Sequence, residues 1–288
     1  MPENPEILRY SAFAATPDGG NPAGIVLDAA GLDDERMRRI AADVGYSETA
    51  FVTERSEVDG VPHHRVRYFS PGAEVPFCGH ATVATAVALA ERDGAGTVVF
   101  ETAAGPVALE SVADAAGAIT VSFTSVEPQV RELDPAVRDR LLDLLGLTVA
   151  DVDPRFPVQE SFAGNWHPIV FVADRELFHQ FRFRPADIAD LMRAQGWLGT
   201  VTVMHAHDST AFEARNLFPV GRITEDPATG SAAASTGAYL REHGYAGETI
   251  RIRQGAHVGR PSELIVTIPE SGGIVVAGGA FPLPADGS

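Results

Sequence analysis

Residues able to do chemistry stand at a few marked places in this chain. Glu48 lies in Tyr46-Ser47-Glu48-Thr49-Ala50-Phe51-Val52, between a helix stop and an apolar strand. A carboxylate walled by apolar residues can hold a proton near neutral pH and serve as acid and base; the plainer reading is a surface glutamate at a strand start. Cys78-Gly79-His80-Ala81-Thr82 places the single cysteine at the start of a helix, two residues before a histidine. A helix N-terminus acidifies a thiol. Residues i and i+2 do not face one another on a helix, so the spacing reads Cys78 as a small buried residue. Ala228-Thr229-Gly230-Ser231 opens a second helix just after Asp226. Unpaired N–H groups at such starts favour an anion, and two starts in one cleft would hold a carboxylate or an enolate-like charge. Asp226, Ser231 and a histidine are the parts of a hydrolase triad, but the Gly-x-Ser-x-Gly turn is missing. His63-His64 and His205-Ala206-His207-Asp208 have the atoms for a metal, yet no spaced carboxylate–histidine set completes them. They read as structural or surface histidines, with no metal site.

Composition narrows this chemistry. The 288 residues carry 22 basic and 39 acidic side chains, a net charge of -17, and every basic residue is arginine. Without lysine there is no internal Schiff base and no P-loop. One cysteine forbids an intrachain disulfide, a Cys-rich zinc site or a pair of thiols. The acidic balance argues against nucleic acid and anionic lipid as partners and leaves small molecules or a second copy. Met1 to Arg9 shows no signal-peptide pattern, and no apolar run is long enough to span a membrane. The expectation is a cytoplasmic protein.

These side chains need elements to hold them. Asp33–Val44 reads as an amphipathic helix through Met37, Ile40, Ala41 and Val44, with Asp33 as N-cap and Gly45 as stop. Short strands read at Thr49–Val52 and Val66–Ser70. Val83–Ala90, apolar all round and small, reads as a buried helix. Strands follow near 97–101, 107–110 and 119–123, then a linker at Val126–Gln129 and a helix near 136–145. The second half reads as strand 168–172, helix 185–195, strands 200–205 and 211–218, a second small-residue helix Ser231–Leu240, and strands near 249–254, 263–268 and 274–277. A spacing recurs: Arg67 to Pro71 leads seven residues later to Cys78, and Arg215 to Pro219 leads seven residues later to Asp226. The repeat implies an internal duplication, with Cys78 and Asp226 at equivalent positions and a site in the cleft between two domains.

Five motifs in this order resemble the phenazine-biosynthesis PhzF-like family: Gly20-Asn21-Pro22-Ala23, Ser47-Glu48-Thr49-Ala50-Phe51, Phe77-Cys78-Gly79-His80-Ala81-Thr82, Glu225-Asp226-Pro227-Ala228-Thr229-Gly230-Ser231-Ala232 and Gly259-Arg260-Pro261-Ser262. The resemblance runs from about Tyr10 to the C-terminus. It implies an α+β, diaminopimelate epimerase-like fold: two similar pseudo-symmetric domains, each a curved, mostly antiparallel sheet around a central helix. The expected domains are 1–125 and 126–274, with a last strand near 275–288 returning to the first. The resemblance implies an isomerase without cofactor, moving a proton between carbons of a small carboxylate-bearing metabolite. Glu48 takes the acid/base position, His80, Asp226 and Ser231 match the other polar catalytic residues, and Asn21, Gly79, Ala81, Thr229 and Gly230 belong to the substrate-binding set. A homodimer is implied as well. The alternatives are a non-catalytic metabolite-binding protein on the same fold and a Cys78-dependent hydrolase. The second half lacks a cysteine, so a two-thiol racemase is not supported.

Overall fold

The computed structural model describes residues 5–221 and 223–284, so the parts of the N-terminal and last-strand readings on 1–4 and 285–288 lie outside the described residues. The chain forms two compact units, one from residues up to Thr124 plus the segment from Ala277 on, the other Ser125–Val276.

The first unit runs β1 (Leu8–Ala12), β2 (Asn21–Val26), α1 (Asp34–Val44), β3 (Glu48–Val58), β4 (Val61–Phe69), β5 (Glu74–Val75), α2 (Gly79–Asp93), β6 (Thr97–Thr102), β7 (Gly105–Ala113) and β8 (Ile119–Thr124). The second runs β9 (Gln129–Glu132), α3 (Pro135–Leu144), β10 (Gln159–Phe162), β11 (Trp166–Phe171), α4 (Arg175–Gln180), α5 (Pro185–Gln195), β12 (Val201–Ala206), β13 (Ala211–Leu217), β14 (Glu225–Asp226), α6 (Gly230–Leu240), β15 (Thr249–Gln254) and β16 (Ser262–Thr267). β17 (Val275–Pro282) lies mostly in the first unit, where it pairs with β1 and β8 and closes the sheet on itself.

Strand order repeats between the units. β1 is antiparallel to β2, β2 parallel to β3, β3 antiparallel to β4, β4 antiparallel to β5 and parallel to β6, and β6 antiparallel to β7. β10 to β16 repeat every one of those relations in the same sequence. This is the duplication expressed as hydrogen bonding.

Each unit wraps its sheet around one helix of small residues. From His80 to Ala90 every α2 side chain is buried, as are Ala232–Leu240 of α6. Small side chains permit close approach: a Cβ on Gly237 would meet Ile274 at 2.7 Å and Val266 at 2.8 Å. Burying each of the larger apolar residues, such as Val83, Val87 and Leu89, contributes about 1.5–3 kcal/mol. The outer faces have cores of their own. Met37, Ile40, Ala41 and Val44 of α1 pack with Val26, Phe51 and Phe69, and the second unit gathers Leu141, Leu142, Phe178, Ile188, Met192 and Trp197 under α3, α4 and α5. Asp33 caps α1 by accepting from Arg36 N–H at 2.8 Å, and Gly45 ends it in the left-handed region (φ 74°).

Some elements differ from the sequence reading. The β3–β4 hairpin extends beyond the apolar stretches to a turn at Asp59-Gly60, whose φ values of 51° and 81° suit a two-residue hairpin loop. Its outer half is charged and exposed, so hydrophobic alternation does not mark it. The expected linker ends in β9, since Gln129 begins that strand. β5, β10, β14 and α4 are too short to leave a period. Among the described residues no helix is long and apolar enough to cross a membrane.

Candidate active site

The start of α2 gathers three of the side chains singled out in the sequence. Glu48 opens β3, with Ala23 of the neighbouring β2 as its register partner. Its Oε2 lies 3.5 Å from His80 Nε2 and 3.5 Å from Cys78 Sγ. Cys78 Sγ lies 3.3 Å from His80 Nδ1, and Ser47 Oγ lies 3.4 Å from His80 Nε2. The expectation that Cys78 and His80 turn away from each other is therefore corrected. Cys78 is the N-cap, with extended backbone (φ -144°, ψ 111°), so helical spacing does not apply to it. Its position is fixed from behind. Thr82 donates its hydroxyl to the Cys78 carbonyl at 2.8 Å, and buried Tyr68 reaches Thr82 Oγ1 at 2.6 Å. With the Thr82 proton committed, Tyr68 is the donor of that pair, and burial pushes its phenol pKa well up. Gly79 and Ala81 occupy the first turn of α2, and buried Asn21 opens β2, the strand that pairs with β3.

The start of α6 is built from hydroxyls. Thr229 is its N-cap, followed by Gly230 and Ser231. Thr229 Oγ1 donates to Asp226 Oδ2 at 2.5 Å. Gln254, at the end of β15, braces the loop: its Oε1 accepts from Thr229 N–H at 3.2 Å, and its Nε2 donates to Asp226 O at 2.7 Å and to Thr229 Oγ1 at 3.0 Å. Ser231 Oγ lies 3.2 Å from Nε2 of His167, a fully buried histidine on β11. The backbone N–H of Thr200 donates to His167 Nδ1 at 3.0 Å. A backbone N–H cannot accept, so Nδ1 is the acceptor although the Thr200 carbonyl also lies 3.1 Å away. The proton sits on Nε2 and is given to Ser231. Burial pushes the His167 pKa down to about 4, which keeps the ring neutral. Such a histidine cannot take a proton from Ser231, so the Ser231 triad reading loses its base. Gly199 makes room for it: a Cβ there would meet the ring at 2.5 Å.

The equivalence of Cys78 with Asp226 is also corrected. In β4 and β5, Phe69 pairs with Glu74; in β13 and β14, Leu217 pairs with Glu225. Arg67 bonds Glu74, and Arg215 bonds Glu225. On this register Cys78 and Thr229 are the matching N-caps, while Asp226 matches Val75. The second connection is longer by three residues, the length of the 3₁₀ turn Pro219–Gly221, and counting from the prolines absorbs that turn unseen.

Neither α2 nor α6 has a side-chain cap, whereas Asp33, Asp134 and Asp174 cap α1, α3 and α4. Among the described residues, the N-cap side chain of neither central helix takes up a first-turn N–H, an arrangement in which the helix dipole favours an anion. His167 and Gln254 were missed in the sequence. The only trace of Gln254 is a polar residue at a buried position of the alternating strand Thr249–Gln254, and His167 lies inside an apolar strand without a spaced partner. Of the other histidines marked in the sequence, His63 meets Glu101 at 3.0 Å, His205 the Val172 carbonyl at 3.0 Å and His207 Glu213 at 3.1 Å, while the buried His64 Nδ1 has no hydrogen-bond partner among the described residues.

A doubled sheet around two small-residue helices, with these motifs at their N-termini, defines a class. The family model for phenazine biosynthesis-like proteins, PhzC-PhzF, matches residues 10–282, and the chain belongs to this family, with its epimerase-like fold. It is similar to the uncharacterized isomerase YfhB of Bacillus subtilis (strain 168), 32% identical over 94% of this chain and 92% of that one. It is 31% identical to the trans-2,3-dihydro-3-hydroxyanthranilate isomerase of Pseudomonas chlororaphis, over 87% of this chain and 86% of the relative. A crystal structure of the Bacillus anthracis PhzF-family phenazine biosynthesis protein superposes with a TM-score of 0.81 at 30% identity, covering 97% of this chain and 98% of that one. The protein is a PhzF-family isomerase.

Proposed function

We propose that the protein is a cofactor-independent isomerase that moves a proton between carbons of a small carboxylate-bearing metabolite. The observation that carries this is the Glu48 carboxylate at 3.5 Å from both the His80 imidazole and the Cys78 thiol, where protons can be exchanged without leaving the site. The name of the Pseudomonas relative supports the reaction class. In this reading Glu48 abstracts the proton from an activated carbon and returns it elsewhere. His80, Asp226 and Ser231 position the substrate and share proton delivery. Ser231, accepting from His167, retains its own proton as a donor for the substrate. Asn21, Gly79, Ala81, Thr229 and Gly230 form the substrate-binding set, and backbone amides among them serve the substrate carboxylate. A preorganised donor of this kind contributes about 3–4 kcal/mol to stabilising charge in the transition state. A cytoplasmic homodimer completes the reading, and sedimentation giving only a ~30 kDa species at micromolar concentration would contradict the dimer.

The test is solvent-deuterium incorporation, first with trans-2,3-dihydro-3-hydroxyanthranilate and then with a metabolite pool. Glu48→Gln is expected to lower incorporation about 10²–10⁴-fold. Retained exchange in Glu48→Gln would sink the assignment. The contact of Cys78 with His80 favours one second reading, a thiol-dependent hydrolase. Turnover abolished in Cys78→Ala but surviving in Glu48→Gln would select it.

A further inference from the structure

We propose that Glu48, Cys78 and His80 form a site for a thiophilic divalent cation such as Zn²⁺, and that the cation reversibly blocks the isomerase site. The blocking half rests on the isomerase reading; the binding half does not.

The geometry is that of a ligand face. One ligand atom from each of the three residues lies within 4.8 Å of the others. Zinc bonds of about 2.3 Å to sulfur and about 2.0–2.2 Å to nitrogen and oxygen put tetrahedral ligand atoms roughly 3.3–3.6 Å apart. Here Sγ–Oε2 is 3.5 Å, Nε2–Oε2 is 3.5 Å and Sγ–Nε2 is 3.8 Å. Small adjustments suffice, and three protein ligands leave a fourth position for water. The ligands also stand on fixed elements. Glu48 is held by parallel pairing of β3 with β2, the Cys78 carbonyl by Thr82, and His80 is buried in the first turn of α2. A metal replaces the protons that now link these groups. The thiol releases one proton to solvent as its S–metal bond forms, the carboxylate binds ionised and the imidazole binds neutral. Two anionic ligands then balance the cation. A thiolate among them selects Zn²⁺ or Co²⁺ over Mg²⁺ and Ca²⁺.

A second histidine cluster tests the choice. His179 Nε2 and His207 Nε2 lie 3.4 and 3.1 Å from Glu213 Oε2, and His257 Nε2 lies 3.2 Å from His179 Nδ1. There the Arg175 guanidinium already holds Glu213 at 3.3 Å, and no thiol is present.

The experiment is a Co²⁺ titration of the full chain, read by absorption and followed by Zn²⁺ displacement. A thiolate-to-metal band in the near ultraviolet is expected, lost in Cys78→Ser, with affinity at least tenfold weaker in Glu48→Gln and strengthening as pH rises. His179→Ala/His207→Ala should leave the band unchanged. Absence of the band at saturating Co²⁺, equal affinity in Cys78→Ser, or binding abolished by the histidine pair overturns the site. Circular dichroism of each variant confirms that it is folded, and Glu48→Gln gives an independent reading where Cys78→Ser does not fold. In the wild type, Zn²⁺ should suppress deuterium incorporation at least tenfold and chelator should restore it; incorporation insensitive to saturating Zn²⁺ overturns the blocking. A chain that binds Co²⁺ through Cys78 but exchanges deuterium with no probe keeps the site and loses the isomerase reading.

Discussion

The N-terminal ends of the two central helices share a frame and differ in what fills it. In each, an arginine near the end of a strand bonds a glutamate on the following two-residue strand, and an uncapped helix begins with a glycine. At the first, Arg67 and Glu74 lie at the surface with side chains 26% and 36% exposed, and Arg67 also bonds Asp34 at 2.8 Å. At the second, Arg215 and Glu225 are 6% and 8% exposed, joined at 2.6 and 3.2 Å. Arg215 also donates to the carbonyls of Phe178 and Phe181 and stacks 3.8 Å over the Phe181 ring. The chemical groups diverge in the same way. The start of α2 holds a carboxylate, a thiol and an imidazole in mutual contact; the start of α6 holds two hydroxyls, Thr229 donating to Asp226 and Ser231 lying 3.2 Å from His167 Nε2. One scaffold thus carries a cluster of titratable side chains in one unit and hydroxyls in the other.

The largest stability effect should break the buried arm of this comparison. Glu225→Ala leaves the Arg215 charge buried without its carboxylate and is expected to cost about 3–5 kcal/mol in urea unfolding. A loss below about 1 kcal/mol would mean that Arg215 is satisfied by the Phe178 and Phe181 carbonyls.

The next concerns His167. Its folded pKa of about 4 lies below the ordinary 6.5, so below pH 6.5 the unfolded chain binds a proton that the folded one refuses. Stability contributed by the neutral ring falls as pH drops from about 6.5 to about 4 and then levels off. Between pH 7 and pH 5 the loss is about 2 kcal/mol. His167→Gln can accept from Thr200 and donate to Ser231 without titrating, so it should remove that slope while keeping the fold. An unchanged slope in urea melts at the two pH values would refute the neutral, Nε2-protonated ring.

The smallest effect is the exposed counterpart. Glu74→Ala should cost no more than about 1 kcal/mol. A cost matching that of Glu225→Ala would erase the distinction between the surface pair and the buried one.

Much of this was legible in the chain. The α1 helix follows from its apolar period, its Asp33 cap and its Gly45 stop, and the two central helices from runs of small apolar residues. Glu48, His80 and Ser231 could be marked because their surrounding motifs are distinctive. The Cys78–His80 contact could not, because whether Cys78 lies on the helix or just before it depends on a single backbone conformation. His167 and Gln254 left little trace, because a polar residue within a buried strand becomes meaningful only when its partner on another strand is known.

By itself the sequence determined the duplication, the classes of chemistry excluded by the missing lysines and the single cysteine, and the family. These are set by residue type and local order, which do not change on folding. Tertiary structure decided which positions correspond and which nitrogen of the buried His167 holds the proton. The three-residue lengthening before α6 shifts Thr229, not Asp226, onto the place of Cys78. Only strand register shows that shift, because hydrogen bonding across strands fixes equivalence where counting along the chain slips. The proton on His167 is likewise set by a backbone N–H 33 residues away in sequence, brought to 3.0 Å by the fold.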